Sequence, residues 1–572
     1  MIVNCAEIGA VKAPVAFEKA QWQASLFATR PRRMELAALK PSWPLASVTL
    51  AVHRNTPFEY IAQSMPAFLA YAGLRVEFRF GDYDDSLMFQ VDVGDEAVVH
   101  LVWLDFERYR AQIEGDALGK WLGERLHALR RTTNAPILVA NRPDVGAEAE
   151  AANRAIEAAV ATVAGARVYD RRPLRAELGD DFWDRRMTGI GATSLSGVAT
   201  LLTARDLGLR WLPAALRSRL KCIAVDFDNT LYSGVLGEDG VAGVVLTPAY
   251  EALQKRLVAL AEEGVFLAAV SKNEAVDVER LLAERADFPL RREHFSAMAV
   301  SWDSKASGIA RVAAELRIGL DAVMLVDDNL GEIAEVGAVY PIVHCVHSAD
   351  PVLALAELTS GPDLLAWTHD SAARLRASDL AAAAAREARM AEAVDPIAYL
   401  GTLETRLVFS LNPRHHLYRL HDLSNKTNQF NLALRRFEEA ALANWLDQPG
   451  PRAVTVELSD RLSDSGIIGM MLFDTEGDTL VIEEICVSCR ALGRKLEDLM
   501  IATAIDAAAK QAGCGTISFV HATGPRNAPA RDWLAEFVGR PLDASEGVCR
   551  LSWPRPGLAK RLQSIPVTVS WR

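Results

Sequence analysis

Alternation of apolar strand-like runs with helix-like segments predicts a multi-domain α/β chain. Three observations carry this prediction. The chain has 572 residues, and at roughly 150 residues per domain that is three or four domains rather than one oversized core. Half of the residues are hydrophobic and 24% are charged, the balance of a folded globular protein and not of a disordered one. The strand-helix pattern also restarts twice along the chain, each time with a new leading strand.

The first pattern begins at residues 46–54, an apolar β-branched run. It continues through a helix over 59–74, strands over 75–80 and 97–105, a helix over 116–130, a strand over 135–143, a helix over 148–164 and a strand over 166–170. Strand, helix, strand in repetition predicts a mostly parallel sheet. A basic stretch over 209–222 leads into the second pattern: strand 222–230, helix 250–263, strand 265–271, helices 274–285 and 304–317, and strand 322–328. The Ala- and Arg-rich segment 371–393, stopped by Pro396, reads as a solvated connecting helix. The third pattern has strands over 405–411, 453–460, 466–474, 480–488 and 516–522, with helices over 414–430 and 496–513. Several strands beside one long helix predict an α+β domain with an antiparallel sheet. The expected domains are therefore 1–215, 220–360 and 398–572, with 361–397 as a helical linker.

The formal net charge is −12, which gives the chain no global electrostatic reason to bind nucleic acid. No run of about 18 apolar residues predicts a membrane span, and residues 1–14 lack the pattern of a secretory signal. A cytoplasmic protein is expected, with neither nucleic acid nor membrane as partner. Seven scattered cysteines suit reduced thiols better than a disulfide framework.

The strongest chemical signal is Asp226-Phe227-Asp228-Asn229-Thr230, directly after the strand that begins at Cys222. Period-two alternation places Asp226 and Asp228 on one face at a strand's carboxyl end, where two carboxylates repel unless a cation sits between them. Mg2+ satisfies that need and screens a phosphate under attack by aspartate. Ser271-Lys272-Asn273 ends the next strand at a helix start, a place for phosphate oxygens. Lys305 begins another helix and can neutralise developing phosphoryl charge. Asp327-Asp328-Asn329 ends a further strand and supplies distal magnesium carboxylates. Each piece alone reads as a solvated loop or a cap; the ordered set, with every polar group at a strand end or a helix start, points to phosphoryl transfer.

These four segments resemble the motifs of the haloacid dehalogenase (HAD) phosphatase superfamily. Residues 226–240 are similar to the signature of the FkbH-like subfamily (HAD class IIIC), whose members load glycerate-type acyl units onto acyl carrier proteins. Tyr232-Ser233-Gly234 stands where the family usually has Trp-Gly-Gly. Two later stretches match the same family: Lys426-Thr427-Asn428-Gln429-Phe430-Asn431-Leu432, and Leu458-Ser459-Asp460-Arg461 continuing to Ser488-Cys489-Arg490-Ala491-Leu492-Gly493-Arg494. The resemblance implies an SGNH/flavodoxin-like N-terminal domain, a Rossmann-like HAD domain and a GNAT-like C-terminal domain. It implies Asp226 as the nucleophile and Asp228 as the acid/base that also gives magnesium a carbonyl. Ser271, Lys272, Asn273, Thr230 and Lys305 then hold phosphate, and Asp327 and Asp328 complete the metal site. Only about 45 residues separate Asp226 from Ser271 and about 55 separate Ser271 from Asp327, leaving no room for a large cap.

Cys489 is the second chemical candidate. Arg490, Arg494 and Lys495 lie nearby in sequence, and cations favour the thiolate; the alternative is a small buried residue beside a helix start. Cys486 and Cys489 have CxxC spacing without a second pair, and alternation would put them on opposite faces, against zinc. The family motif implies Cys489 as an acyl-carrying thiol. Lys426, Asn428, Gln429, Asn431, Arg490 and Arg494 are the corresponding carrier and acyl contacts. The basic run Arg414, His415, His416, Arg419, His421, Lys426, Arg435, Arg436 reads either as a helix face or as a landing place for an acidic carrier protein and its phosphopantetheine arm. His53-Arg54-Asn55-Thr56 ends the first strand without the serine of an SGNH hydrolase, so that domain is expected to be non-hydrolytic, with Asn55 and Thr56 as ligand contacts or a capped turn. The implied function is transfer of a glyceryl-type unit from 1,3-bisphosphoglycerate or a related acyl phosphate to a carrier, in polyketide or related secondary metabolism. A plain Mg2+-dependent phosphatase and a non-catalytic docking scaffold are the alternatives.

Overall fold

A computed structural model describes residues 15–83, 89, 97–109, 113, 117–367, 379–380, 382, 385–386, 389, 401–450, 452–492, 494, 496–542, 545–555 and 565–572. Cys5, Gly493, Lys495 and most of the predicted connecting helix lie outside the described residues. The chain divides into two units, Met1–His369 and Asp370–Arg572.

The first unit is multi-layered α/β with two parallel sheets, as the alternating pattern predicts. The first sheet has strands β1 (Ala46–Arg54), β2 (Leu74–Phe80), β3 (Ala97–Trp103), β4 (Ile137–Ala140) and β5 (Ala166–Tyr169) in the order β2-β1-β3-β4-β5. Every pairing is parallel. The chain moves from β1 to one side and then returns to the other, so a switch point lies between β1 and β3. There Asn55 Oδ1 accepts the Asp105 amide at 2.7 Å and Asn55 Nδ2 donates to the Asp105 carbonyl at 2.9 Å. The side chain offered as a ligand contact instead ties two strand ends together.

His100 on β3 meets His53 on β1, with Nδ1 and Nε2 2.9 Å apart. Burial, with His53 and Arg130 adding repulsion, pushes His100 down to about 3. A lowered pKa means that the fold holds the neutral ring. Its stabilisation is complete above pH 6.5 and is lost as pH falls toward 3, at up to roughly 1.4 kcal/mol per pH unit. Denaturant titrations at pH 7.5 and 5 are expected to show a shallower acid loss in His100→Gln than in the wild type; parallel losses would sink this assignment.

The second sheet has β6 (Cys222–Val225), β7 (Phe266–Ser271), β8 (Phe295–Val300), β9 (Val323–Asp327) and β10 (His344–His347) in the order β10-β9-β6-β7-β8, again all parallel. The edge strands β8 and β10 were not expected. β8 carries Ser and Met among small residues and is buried only at alternate positions, while β10 is four residues long with a histidine at each end, so neither has the continuous apolar run of a central strand. Helices Leu236–Gly243 and Pro248–Glu262 fill the interval from Asp226 to Ser271. No large cap is inserted there.

The helix Val15–Leu26 joins the two layers. Gly337 packs so closely on Ala16 that a Cβ at Gly337 would come within 2.7 Å of Ala16 Cβ. Lys19 lies over the rings of Trp43 and Tyr71. Tyr71 in turn donates to the fully buried Glu357 at 2.6 Å, and His344 Nε2 meets the same carboxylate oxygen at 2.9 Å. The regions expected as 1–215 and 220–360 thus share one unit.

The second unit has a seven-stranded mixed sheet, in the order β16-β15-β14-β13-β12-β11-β17. Its strands are β11 (Arg406–Leu411), β12 (Ala453–Ser459), β13 (Asp464–Glu476), β14 (Thr479–Val487), β15 (Thr516–Ala522), β16 (Glu546–Ser552) and β17 (Thr568–Trp571). Only β14–β15 and β11–β17 pair in parallel. Helix Glu497–Ala512 lays Leu499, Ile501 and Ile505 into the core beneath the sheet. The solvated linker is corrected here. Asp379 and Arg386 are buried: Asp379 accepts from Ser465 at 2.8 Å and pairs with Arg490 at 3.1 Å, while Arg386 pairs with Asp460 at 2.8 Å. Helix propensity and polar composition do not reveal that both charges have buried partners. Among the described residues no helix is long and apolar enough to cross a membrane.

Candidate active site

The carboxyl ends of β6, β7 and β9 converge, because parallel pairing puts their succeeding residues on one shared edge of the second sheet. Asp226 comes directly after β6 and Asp327 ends β9, and the Asp226 amide donates to the Val326 carbonyl at 3.0 Å. Lys305 is the first residue of the helix Lys305–Glu315, capped by Ser304. Helical side chains tilt toward the N-terminus, which carries its ammonium to within 3.0 Å of Asp226 and into a short ion pair with Asp327. Asp226, Asp327 and Lys305 are all buried.

Asp226, Asp327 and Asp328 each offer one oxygen within 4.8 Å of the others. When ionised, three carboxylates against one ammonium leave two negative charges, the complement of a divalent cation. The donors are hard oxygens and Asp328 is only half-buried, so the set fits Mg2+, which keeps several of its waters. Burial pushes Asp327 up to about 7, with repulsion from Asp226 adding to it and Lys305 opposing it. Burial also raises Asp328, again with Asp226 contributing. Lys305 is raised: burial opposes its charge, but Asp226 and Asp327 outweigh the penalty.

Asp228 departs from the expected pairing. Its carboxylate accepts from Tyr232 Oη at 2.6 Å, the Leu236 amide at 2.9 Å and Asn273 Nδ2 at 3.0 Å, and it is not part of the three-carboxylate cluster. Mutual repulsion of two strand-end carboxylates is relieved by Lys305 on one and by three donors on the other. Tyr232 is therefore a direct contact of Asp228 that motif reading passes over. The turn that makes this possible needs Asn229 at φ 52° and Gly234 at φ 116°. At Gly234 a Cβ would also meet Asp239 Oδ2 at 2.7 Å.

Asn273 Nδ2 also donates to Ser271 Oγ at 3.1 Å, so Asn273 links Ser271 to Asp228 at the carboxyl edge of the sheet. Lys272 instead pairs with Glu332 at 2.7 Å. Thr230 is fully buried, and its hydroxyl meets Ser348 Oγ at 2.9 Å; it stands behind the site as a strut rather than in it as a phosphate ligand. Trp302, not anticipated, is 69% exposed on the loop that delivers Lys305, and its Nε1 donates to Glu274 at 2.8 Å.

In the second unit Cys489 lies past the end of β14, so strand alternation does not relate it to Cys486. Cys486 is buried, which raises its thiol, while Cys489 is partly exposed. The cations beside Cys489 have counter-ions: Arg490 pairs with Asp379 at 3.1 Å and Arg494 with Asp460 at 2.9 Å. The positive field expected around the thiol is offset to that extent. The basic run is likewise matched, Arg414 with Asp447, Arg419 and Lys426 with Asp422, and Arg435 with Glu483.

Asn428 accepts from Arg436 at 2.6 Å. Asn431 is fully buried and accepts the Leu434 amide at 2.7 Å, so it shapes its loop and does not face a carrier. Gln429 is exposed. Glu484 on β14 collects the amides of Leu432, Ala433, Arg435 and Ile485. Burial pushes it up to about 7 against those four bonds. No motif flags this loop anchor.

No family model matches the chain, and no curated protein matches it. Among solved structures, one that is similar is the N-terminal part of BF1531 from Bacteroides fragilis, containing a phosphatase domain and complexed with Mg. It is 16% identical, covers 62% of this chain and 100% of its own, and has a TM-score of 0.45. The ribosomal-protein-S18-alanine N-acetyltransferase of Escherichia coli is 16% identical over 26% of this chain and 96% of its own, with a TM-score of 0.20. The spermidine/spermine N-acetyltransferase SpeG of Vibrio cholerae is 15% identical over 27% and 98%, with a TM-score of 0.21. The chemistry of the site rests on its own side chains.

Proposed function

We propose that this chain is a Mg2+-dependent phosphohydrolase of the haloacid dehalogenase type joined to an acyl-transfer unit, and that it loads a glyceryl-type unit onto an acyl carrier protein. The observation that carries the phosphoryl chemistry is the cluster of Asp226, Asp327 and Asp328 around Lys305, with two negative charges left for a divalent cation. Bound there, Mg2+ would screen phosphate charge. An Asp226 oxygen attacks phosphorus, the ester P–O bond breaks, and the leaving alcohol takes a proton from Asp228. Asp228 then removes a proton from the water that cleaves the aspartyl phosphate. Ser271 and Lys305 hold the transferred group. A site without a large cap admits a bulky ester, and exposed Trp302 offers it an aromatic contact.

The acyl step rests on resemblance and on the partly exposed Cys489. Its thiolate attacks the carbonyl of an acyl phosphate, a C–S bond forms and phosphate leaves. The phosphopantetheine thiol of the carrier then takes the acyl group and releases Cys489. A phosphatase on a small metabolite is the second reading, favoured by the carboxylates that offset Arg490 and Arg494. Incubation of the protein with Mg2+, 1,3-bisphosphoglycerate and holo carrier protein, read by intact-protein mass spectrometry, decides between them. The acylated carrier is expected with the wild type and absent with Cys489→Ser. Loading that survives in the variant removes the thiol intermediate, and no loading by the wild type leaves the phosphatase.

A further inference from the structure

Among the described residues, the first sheet carries an arginine with no acceptor. Arg171 lies two residues beyond β5, its amide donates to Asn141 Oδ1 at 2.9 Å, and the residue is 8% exposed. Its guanidinium lies 4.3 Å from the ring centroid of Trp103, the last residue of β3. Nε is sealed from solvent without a partner. Arg54, Arg108, Arg142 and Arg172 at the same edge each pair with a carboxylate; among the described residues Arg171 has neither ion pair nor side-chain hydrogen bond.

Burying a guanidinium without an ion pair is costly, and stacking on Trp103 with the favourable fields of Tyr169, Asp144 and Asp105 returns only part of that cost. An apolar residue would fill the place more cheaply. The position also has a meaning in the fold. In an open parallel sheet, ligands enter at the carboxyl ends of the strands beside the switch point, which here lies between β1 and β3, where Trp103 holds the guanidinium. Burial lowers Arg171 to about 10, which leaves it charged at neutral pH.

We propose that Arg171, stacked on Trp103, anchors an anion site at the carboxyl edge of the first sheet, taking the carboxylate or phosphate group of a small molecule in the guanidinium fork. This site is separate from the Asp226 cluster and does not depend on the function proposed for it.

Thermal denaturation of the full chain in chelator tests it, with inorganic phosphate, malonate and, at equal ionic strength, chloride. Because Arg171→Gln leaves the Asp226 cluster intact, any anion taken up there stabilises both proteins equally. At least one of the two anions is expected to raise the wild-type midpoint by about 2–4 °C above chloride, and Arg171→Gln is expected to lose that rise. A response to phosphate alone assigns a phosphorylated ligand, and a response to malonate alone assigns a carboxylate. Arg171→Lys keeps the charge without the fork and should lose more than half of the rise, which provides the comparison if the glutamine variant does not fold. Equal shifts in wild type and variant, or no shift above chloride, overturn the proposal.

Discussion

Asp226→Asn is expected to lower phosphate release from a generic aryl phosphate by at least about a thousandfold while leaving the protein folded. The substitution keeps the shape of the side chain and removes the charge from the oxygen proposed to attack. It also alters the balance around Lys305. In the native site one ammonium serves two buried carboxylates, Asp226 at 3.0 Å and Asp327 in a shorter pair. With Asn at 226 the ammonium retains Asp327, and the repulsion that helps to raise Asp327 and Asp328 is gone. Metal-free stability should therefore stay the same or rise, opposite to the usual direction for a buried polar substitution. Affinity for Mg2+ should fall, because one of three carboxylate donors has lost its charge. Initial rates with calorimetric titration of Mg2+ check both sides. A variant that keeps more than a tenth of wild-type activity would show that Asp226 is not the nucleophile.

The order of strands and carboxylates was legible because parallel strands advertise themselves. β6, β7 and β9 are buried along their whole length and apolar up to the closing Ser271 of β7 and Asp327 of β9, and the chemistry begins where the hydrophobicity stops. The illegible part depends on partners distant in sequence. Asp226 and Asp228 read as a pair facing one cation, yet Tyr232, Leu236 and Asn273 turn the second carboxylate to its own donors. Thr230 reads as a phosphate contact until Ser348, 118 residues later, takes its hydroxyl. The Arg-rich stretches read as positive surface, but Asp379, Asp422 and Asp460 match much of the charge, and spacing along the chain carries no record of such counter-ions. Edge strands β8 and β10 escaped for a related reason. A strand fully buried at only half of its positions lacks the apolar run of a central one, and its identity comes from the neighbour it pairs with.

Lys305→Met is expected to destabilise the metal-free first unit by roughly 3–5 kcal/mol, since it breaks a buried pairing by removing one side. Methionine fills much of the stem volume, so the loss is chiefly electrostatic. Two buried carboxylates then face each other without a cation. They have one escape, protonation, and Asp327 is already at about 7 with Lys305 still opposing the rise; in the variant it moves higher. A carboxyl whose folded pKa exceeds its unfolded value stabilises the fold when protonated, and that contribution is lost as pH climbs through the folded pKa. The penalty of the substitution should accordingly be smaller at pH 6 than at pH 8.5. Mg2+ should raise the midpoint of the variant more than that of the wild type, because the cation replaces charge that the variant lacks. If Lys305 holds the transferred phosphoryl group as proposed, turnover should nevertheless stay low, because that ammonium is missing. Denaturation of wild type and variant at the two pH values, with and without Mg2+, reads the stability effects, and initial rates read turnover. A penalty independent of pH and unmoved by Mg2+ would mean that Lys305 only packs against its neighbours, and the charge balance argued for the site would be wrong.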